Sequence, residues 1–208
     1  MATTIRILTV DDHALLREGI AAMLDIEPGF SVVGTAASAR AGIDAFRHLH
    51  PDVTLMDLQL PDFSGIEAIR QVRAEFPRAR IVVLTTYRGD VNARDALSAG
   101  AQGYLLKSVL RDELVEAIRR VHAGHRYVCA EIASDLACHI GEQALTPRET
   151  TILQLVSQGL GNKQIASALG ISGDTVKAHI ASVLDKLGAR SRTEATAIAA
   201  RRGFLTPP

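Results

Sequence analysis

The stretch from Val53 to Gly65, VTLMDLQLPDFSG, decides how the first half of the chain is expected to fold. Its apolar, β-favouring start predicts a buried strand over 53–57 that ends on Asp57, and Pro61 and Gly65 are typical of a turn that leads into a helix. A carboxylate at the end of a buried strand is costly to remove from water unless other groups compensate its charge. Asp57 is therefore expected either to reach solvent or to have partners elsewhere in the chain.

Similar apolar runs alternate with segments of helical spacing along residues 1–122. Strands are predicted over 5–10, 31–35, 53–57, 81–85 and 103–106. Helices are predicted over 13–26, 38–48, 64–75, 90–99 and 111–122. Strands that are apolar throughout, each followed by a helix, predict an α/β fold with a doubly wound, five-stranded parallel sheet. Ligands of such sheets bind beyond the carboxyl ends of the strands.

Polar side chains follow four of the five predicted strands at that edge of the sheet. They are Asp11, Asp12, Asp57, Thr85 and Lys107. Clustered carboxylates resist joint ionisation unless a hard divalent cation binds them, and Mg²⁺ suits one or two carboxylates together with a phosphate oxygen. An aspartate that caps the next helix would explain any one of these residues, but it does not explain five at one edge.

The motifs VDDH, LMDLQLPDFSG, VVLTTY and GYLLK occur in this order, and with them residues 1–122 resemble the receiver domain of two-component response regulators. The resemblance implies a flavodoxin-like fold and the transfer of a phosphoryl group from a histidine kinase to Asp57. It also implies that Mg²⁺ or Mn²⁺ binds directly to Asp12, Asp57 and the backbone carbonyl of Gln59, and through water to Asp11.

The same resemblance implies roles for three further residues. Lys107 would pair with the phosphoryl oxygens, and Thr85 would donate a hydrogen bond to one of them. Phosphorylation would draw Thr85 inward, and Tyr104 would then fill the vacated space as a switch residue. The alternative for Tyr104 is an ordinary half-buried aromatic residue of the sheet.

Residues 123–145 are expected to form a partly helical linker. Ile132, Leu136 and Ile140 recur at a spacing of four, which predicts a helix with an apolar stripe. Cys129 and Cys138 fit no metal or redox spacing, so both are expected to be unpaired thiols.

Residues 146–208 are expected to form an all-α domain of four helices. Thr146 and Glu149 predict a capping box at the start of the first, and Asn162 and Ser172 are predicted caps of the second and third. A short helix, a turn and a helix with one apolar stripe are typical of a helix-turn-helix, whose second helix can enter the major groove. This segment carries eight Lys and Arg against four Asp and Glu, a balance that favours a nucleic-acid partner.

The third predicted helix has two different faces. Its apolar face holds Val176, Ile180, Val183, Leu184 and Leu187. The opposite face holds Thr175, Ala178, Ala181, Ser182 and Asp185. Because this second face is small and partly hydroxylic, it suits close approach to DNA better than contact with an apolar partner.

The motifs LTPRE, GLGNKQIA, TVKAH and KLGARSRTEA are similar to those of the LuxR-type DNA-binding domain, and the whole chain resembles the NarL/FixJ response regulators. The resemblance implies base-facing positions at Lys177, Ala178 and Ala181. It implies phosphate contacts from Thr175, His179, Asn162 and Lys163. Since alanine offers only a methyl group, Lys177 is the expected hydrogen-bonding reader of bases. The alternative for Lys177 is an ordinary solvated helix lysine.

These observations predict a cytoplasmic transcription regulator with no signal peptide and no membrane span. A cognate histidine kinase would phosphorylate Asp57, and phosphorylation would control dimerisation and binding to promoter DNA. The expected homodimer would form when the protein is phosphorylated or on DNA, with a fourth helix over 191–203 as a pairing surface. No enzymatic activity is expected beyond self-phosphorylation and self-dephosphorylation on Asp57.

Two alternatives remain at this point. The first is a phosphoester hydrolase with Asp57 as nucleophile. Such enzymes usually carry an acid two residues after the nucleophile, where this chain has Gln59. The second is a docking switch or DNA-binding regulator that works without phosphate. A docking surface does not require Asp11, Lys107 and the other polar residues at the strand ends, and this chain has all of them.

Overall fold

A computed structural model of the chain describes residues 4–108 and 111–205. The chain divides into two compact units. One includes residues up to Tyr87 together with Ala93–Ser134, and the other includes Arg88–Asn92 together with residues from Asp135 onward. Among the described residues, no helix combines the length and the apolar character needed to cross a membrane.

The first unit contains a parallel sheet with the strand order β2-β1-β3-β4-β5-β6. Its strands are β1 Ile5–Val10, β2 Phe30–Ala36, β3 Val53–Met56, β4 Ile81–Thr85, β5 Gly103–Leu106 and β6 Tyr127–Val128. A helix follows each strand: α1 Ala14–Asp25, α2 Ala39–Leu49, α3 Gly65–Glu75, α4 Asp90–Ala99, α5 Arg111–His122 and α6 Ala130–Cys138. The alternation of strand and helix confirms the predicted doubly wound α/β class.

The sheet has one strand more than the five predicted. Tyr127 and Val128 pair with Gly103 and Tyr104 of β5, inside the segment expected to be a linker. Two residues are too short to show the alternation that marks a strand, so only the pairing with β5 reveals it. The strand β3 ends at Met56, which places Asp57 directly beyond the strand.

The helix predicted around Ile132 exists as α6, but it is shorter than the apolar pattern indicated. Ile132 is fully buried, whereas Ile140 lies beyond the end of α6 at Cys138 and is 81% exposed. The prediction that Ile140 belongs to the helix stripe is therefore wrong. Cys129 is buried and Cys138 is exposed, and both are free thiols in this structure.

The second unit contains the four predicted helices, α7 Pro147–Ser157, α8 Asn162–Leu169, α9 Gly173–Leu187 and α10 Arg192–Arg202. The capping box of α7 is confirmed, because the Thr146 hydroxyl accepts from the Glu149 N–H at 3.3 Å and the Thr146 N–H donates to the Glu149 carboxylate at 2.7 Å. Ser172 caps α9 as predicted, accepting from the Thr175 N–H at 3.0 Å.

The predicted cap of α8 is one residue out of place. Gly161 is the cap and Asn162 is the first helical residue. The Gly161 N–H donates to the Gln164 side chain at 2.8 Å, so that side chain supplies the return bond of the cap. Glycine is acceptable as a helix cap, which leaves the Asn162 side chain available for another contact.

The apolar stripe of α9 forms the centre of this unit. Val183 and Leu187 pack in one buried cluster, and Val176 packs in a second. Leu184 and Ile180 are partly buried against these clusters. The apolar face predicted from the sequence is confirmed, and it leaves the other side of α9 available for a partner.

Candidate functional site

A buried ion-pair cluster lies at the carboxyl edge of the sheet. Asp11 follows β1, Asp57 follows β3 and Lys107 follows β5. The Lys107 ammonium lies 2.7 Å from Oδ2 of Asp11 and 2.7 Å from Oδ2 of Asp57. All three side chains are almost fully buried, with 6% of Lys107 exposed. The structure thus brings together the carboxylates and the ammonium predicted to meet at this edge.

Backbone groups hold the second oxygen of each buried carboxylate. The Leu58 N–H donates to Oδ1 of Asp57 at 2.6 Å, and the His13 N–H donates to Oδ1 of Asp11 at 2.8 Å. Burial alone would lower the pKa of Lys107, but its hydrogen bonds to the two carboxylates outweigh burial and raise that pKa. Lys107 is therefore a fixed positive charge in this pocket.

The acidic cluster has a donor set that fits a hard divalent cation. Ligand atoms of Asp11, Asp12, His13 and Asp57 all lie within 4.8 Å of one another. Three carboxylates against one ammonium leave an excess of negative charge, and carboxylate oxygens are the donors that Mg²⁺ prefers. Asp12 is exposed, so the cluster is open to solvent on one side.

Gln59 lies two residues after Asp57 and is half-buried. The contact of its backbone carbonyl with a metal ion stays a prediction.

Two neighbours of the cluster were not anticipated. The Nδ1 atom of His13 lies 2.8 Å from Oδ1 of Asp12, and an Arg17 guanidinium nitrogen donates to the Asp11 carbonyl at 2.6 Å. The position of His13 directly after the two aspartates was the available signal. Arg17 lies further along α1, and no local pattern marks it as a contact of Asp11.

Thr85 and Tyr104 are connected through the backbone of Tyr87. The Thr85 hydroxyl accepts from the Tyr87 N–H at 3.3 Å, and the Tyr104 hydroxyl donates to the Tyr87 carbonyl at 3.1 Å. Thr85 and Tyr104 are both fully buried. Burial, together with the charge of Asp57, raises the pKa of Tyr87. Tyr104 is thus more deeply buried than the half-buried sheet aromatic considered as its alternative.

The outer side of α9 presents most of the residues predicted to face DNA. Thr175, Lys177, Ala178 and Ala181 are exposed, and His179 is half-buried. The Lys177 ammonium pairs with Asp174 at 3.0 Å, but both side chains are largely exposed, so this pair holds Lys177 weakly.

The two candidates on α8 differ in how they are held. Lys163 is exposed. Asn162 is half-buried, and its side-chain oxygen accepts from Arg192 at 2.7 Å. A phosphate contact by Asn162 would therefore use its amide N–H group or its backbone N–H.

One residue assigned to the outer face of α9 lies elsewhere. Ser182 is half-buried, and its hydroxyl donates to Oε1 of Glu149 at 2.7 Å. The Lys186 ammonium lies 2.7 Å from Oε2 of the same carboxylate. Ser182 therefore belongs to an internal polar network that joins α9 to α7, and the predicted outer face loses one hydroxyl.

Two family models match the chain. Residues 7–119, more than half of the chain, match the response regulator receiver domain, and residues 143–199 match the luxR family of bacterial regulatory proteins. The transcriptional regulatory protein LiaR of Bacillus subtilis strain 168 is 38% identical over 209 residues, which cover 97% of this chain and 99% of LiaR. The response regulator protein VraR of Staphylococcus saprophyticus is 35% identical over 206 residues, which cover 97% of this chain and 99% of VraR.

Solved structures show the same relationship. A LuxR-family two-component response regulator from Aurantimonas sp. SI85-9A1 is 41% identical, with a TM-score of 0.64 over 66% of this chain and 98% of that one. The response regulator ChrA of a heme-sensing two-component system is 34% identical, with a TM-score of 0.58, and the match covers 97% of this chain and 99% of ChrA. The chain therefore belongs to the response regulators that join a receiver domain to a luxR-family DNA-binding domain and regulate transcription.

Proposed function

We propose that phosphorylation of Asp57 by a cognate histidine kinase controls how this regulator dimerises and binds promoter DNA. The observation that carries the proposal is the buried contact of Lys107 with Asp57 and Asp11. In this proposal the receiver domain spans 1–122, a partly helical linker spans 123–145 and the DNA-binding domain spans 146–208. The last three residues of the DNA-binding domain lie outside the part of the chain that the structure describes.

The proposed chemistry is phosphoryl transfer to a carboxylate. An Asp57 oxygen attacks the phosphorus of a phosphohistidine, an O–P bond forms, and the N–P bond breaks with its electron pair left on the imidazole. The Lys107 charge compensates the phosphoryl oxygens, and the buried Thr85 hydroxyl is available to donate to one of them. Self-dephosphorylation is the attack of water on the same phosphorus, which returns the Asp57 carboxylate.

A divalent cation, Mg²⁺ or Mn²⁺, completes this site in the proposal. Asp12, Asp57 and the Gln59 carbonyl would hold it directly, and Asp11 would hold it through water. When bound, the cation neutralises charge on the phosphoryl oxygens. The oxygen donors brought together by Asp11, Asp12 and Asp57 support this assignment.

The proposed DNA contacts lie on α8 and α9. Lys177, Ala178 and Ala181 would face bases, and Thr175, His179, Asn162 and Lys163 would meet phosphates. The exposure of Lys177, and its weakly held pair with Asp174, support a side chain that is available to a base edge. Because the DNA target lies there, we place the protein in the cytoplasm.

The proposal is tested by fluorescence anisotropy of the full chain on promoter fragments, with and without acetyl phosphate and Mg²⁺. The oligomeric state is read in parallel by light scattering. We expect wild type to bind more tightly and to dimerise on phosphorylation, and Asp57→Asn to do neither. If Asp57 of the wild type is modified but neither binding nor assembly changes, the regulator works without phosphate and the proposal fails.

A further inference from the structure

The loop between β3 and α3 is attached to α2 by one side chain. The Asp62 carboxylate accepts from the Ala39 N–H at 2.9 Å through Oδ1 and from the Arg40 N–H at 2.9 Å through Oδ2. It also accepts from the Phe63 N–H at 3.0 Å. The first N–H groups of a helix have no partner within the helix, so they suit a carboxylate that arrives from another segment.

The first turn of α2 already has a cap of its own. The Ser38 hydroxyl accepts from the Ala41 N–H at 3.3 Å. Asp62 takes the two N–H groups that this cap leaves open, so its bonds reach across the fold. Desolvation would raise the pKa of Asp62, but hydrogen bonds from backbone N–H groups, first those of Arg40 and Ala39, lower it and keep the carboxylate charged.

The segment that receives Asp62 lies close to the first acidic residues. The strand β2, which ends at Ala36, precedes α2, and the Ala36 carbonyl accepts from the Asp11 N–H at 3.0 Å. Asp62 therefore attaches the loop after β3 to the start of α2, which closely follows the carbonyl that accepts from Asp11.

The base of the same loop is fixed by backbone bonds. The Asp57 N–H donates to the Val10 carbonyl at 2.9 Å, and the Gly65 N–H donates to the Leu58 carbonyl at 2.9 Å. Between these bonds the loop carries Gln59 and, three residues later, Asp62. The base is fixed by the sheet, and the Asp62 carboxylate supplies a second attachment further along the loop.

We propose that Asp62 is a positioning residue of the phosphoacceptor site, which holds the loop carrying Gln59 in the conformation that binds the divalent cation. This inference rests on the proposed function, because it assigns Asp62 a role toward the metal. The Asp62 side chain is exposed and bonds to backbone N–H groups of α2, so its effect on the metal is transmitted through the loop.

The test is isothermal titration of the full chain with Mg²⁺, alongside thermal unfolding without the metal. The variants are Asp62→Ala, Asp62→Asn and, as a matched control at the same helix end, Ser38→Ala. We expect Asp62→Ala to bind Mg²⁺ about tenfold more weakly, a size typical of groups that orient metal ligands. Asp62→Asn keeps one acceptor oxygen and is expected to lie between Asp62→Ala and wild type. Ser38→Ala is expected to lower stability and leave Mg²⁺ affinity unchanged.

The outcomes separate this inference from its premise. If Asp62→Ala binds Mg²⁺ as tightly as wild type does, Asp62 is a helix cap only. The same conclusion follows if Ser38→Ala loses as much Mg²⁺ affinity as Asp62→Ala. Failure of wild type to bind Mg²⁺, or full binding by Asp57→Asn, would instead contradict the proposed metal site itself. Asp62→Asn keeps the size of the side chain but only one acceptor oxygen, so a Mg²⁺ affinity lower than that of an equally destabilised Ser38→Ala protein is a readout that capping alone would not produce.

Discussion

The ammonium of Lys107 lies 2.7 Å from Oδ2 of Asp57 in a pocket that almost fully buries both side chains. The same ammonium reaches Oδ2 of Asp11 at 2.7 Å. One cation therefore compensates two buried carboxylates, and removing it would leave both in an environment that solvates charge poorly.

We expect Lys107→Met to lower the free energy of unfolding in EDTA by about 3 kcal/mol, the lower end of the range for breaking a buried ion pair. Urea unfolding followed by circular dichroism measures the loss. Saturating Mg²⁺ is expected to restore part of it, because a bound cation compensates the same carboxylates. The control is Arg47→Met, which removes an exposed pair with Glu75 and is expected to cost far less. If both variants lose the same free energy of unfolding, the buried charge of Lys107 stabilises the fold no more than an exposed ion pair does.

Gly65 is required by the backbone of the site. A Cβ atom at this position would lie 1.9 Å from the Asp57 carbonyl oxygen and 2.9 Å from the Leu58 Cα, and neither backbone atom can move without moving the loop. We expect Gly65→Ala to lower the unfolding temperature and to slow phosphorylation by acetyl phosphate, measured as phosphoprotein formed over time.

The matched control for Gly65→Ala is Gly19→Ala within α1, where an added Cβ meets nothing within 4 Å. Because alanine favours the helix over glycine, this change is expected to leave phosphorylation unchanged and to raise stability by up to about 1 kcal/mol. A Gly65→Ala protein with wild-type stability and rate would mean that the loop has room to shift.

The parallel sheet and its acidic edge could be predicted because the signals are local. Each strand is a short apolar run, and each polar residue directly follows one, so the rule that parallel strands end at one edge brings Asp11, Asp57 and Lys107 together. The contact of Asp62 with α2 could not be predicted in this way. It depends on a loop meeting a helix end 22 and 23 residues earlier in the chain, and no sequence pattern encodes that distance.

The faces of α9 show the same limit on a smaller scale. Helical spacing placed Val176, Val183 and Leu187 correctly in the core. It placed Ser182 on the exposed face, because a serine at the boundary between the two faces prefers neither the core nor solvent. The deciding partner is Glu149, 33 residues earlier, whose charged oxygens draw the hydroxyl inward.

Lys177 is expected to contribute to sequence recognition. Lys177→Ala should weaken binding to the specific promoter site by about 1 to 3 kcal/mol while leaving binding to unrelated DNA nearly unchanged. Lys163→Ala is the matched comparison, since loss of a phosphate contact should weaken binding to both DNAs alike and reduce the salt dependence. Anisotropy titrations at several salt concentrations measure both effects. If Lys177→Ala and Lys163→Ala lose the same affinity for both DNAs, Lys177 contacts phosphates and not bases.

Glu149 is expected to make the DNA-binding unit sensitive to acid. Burial would raise its pKa, but the Lys186 ammonium, the Ser182 hydroxyl and the Thr146 N–H outweigh burial and lower the pKa from 4.5 to about 2. The folded state therefore binds a proton less readily than the unfolded state. The stabilisation is complete above pH 4.5 and is lost as the pH falls toward about 2.

The shift in the Glu149 pKa corresponds to about 3 kcal/mol near neutral pH, at 1.36 kcal/mol for each unit of pKa. The matched variant is Glu149→Gln, which keeps the shape of the side chain but has no charge for Lys186. Hydrogen exchange of α7 and α9 peptides in the full chain reports the stability of this unit. We expect the difference between wild type and variant to be large near neutral pH and to shrink as the pH falls from 4.5 toward about 2, because the unfolded state takes up the proton before the folded state does. A difference that stays constant with pH would mean that packing at this position, and not the charge of Glu149, stabilises the unit.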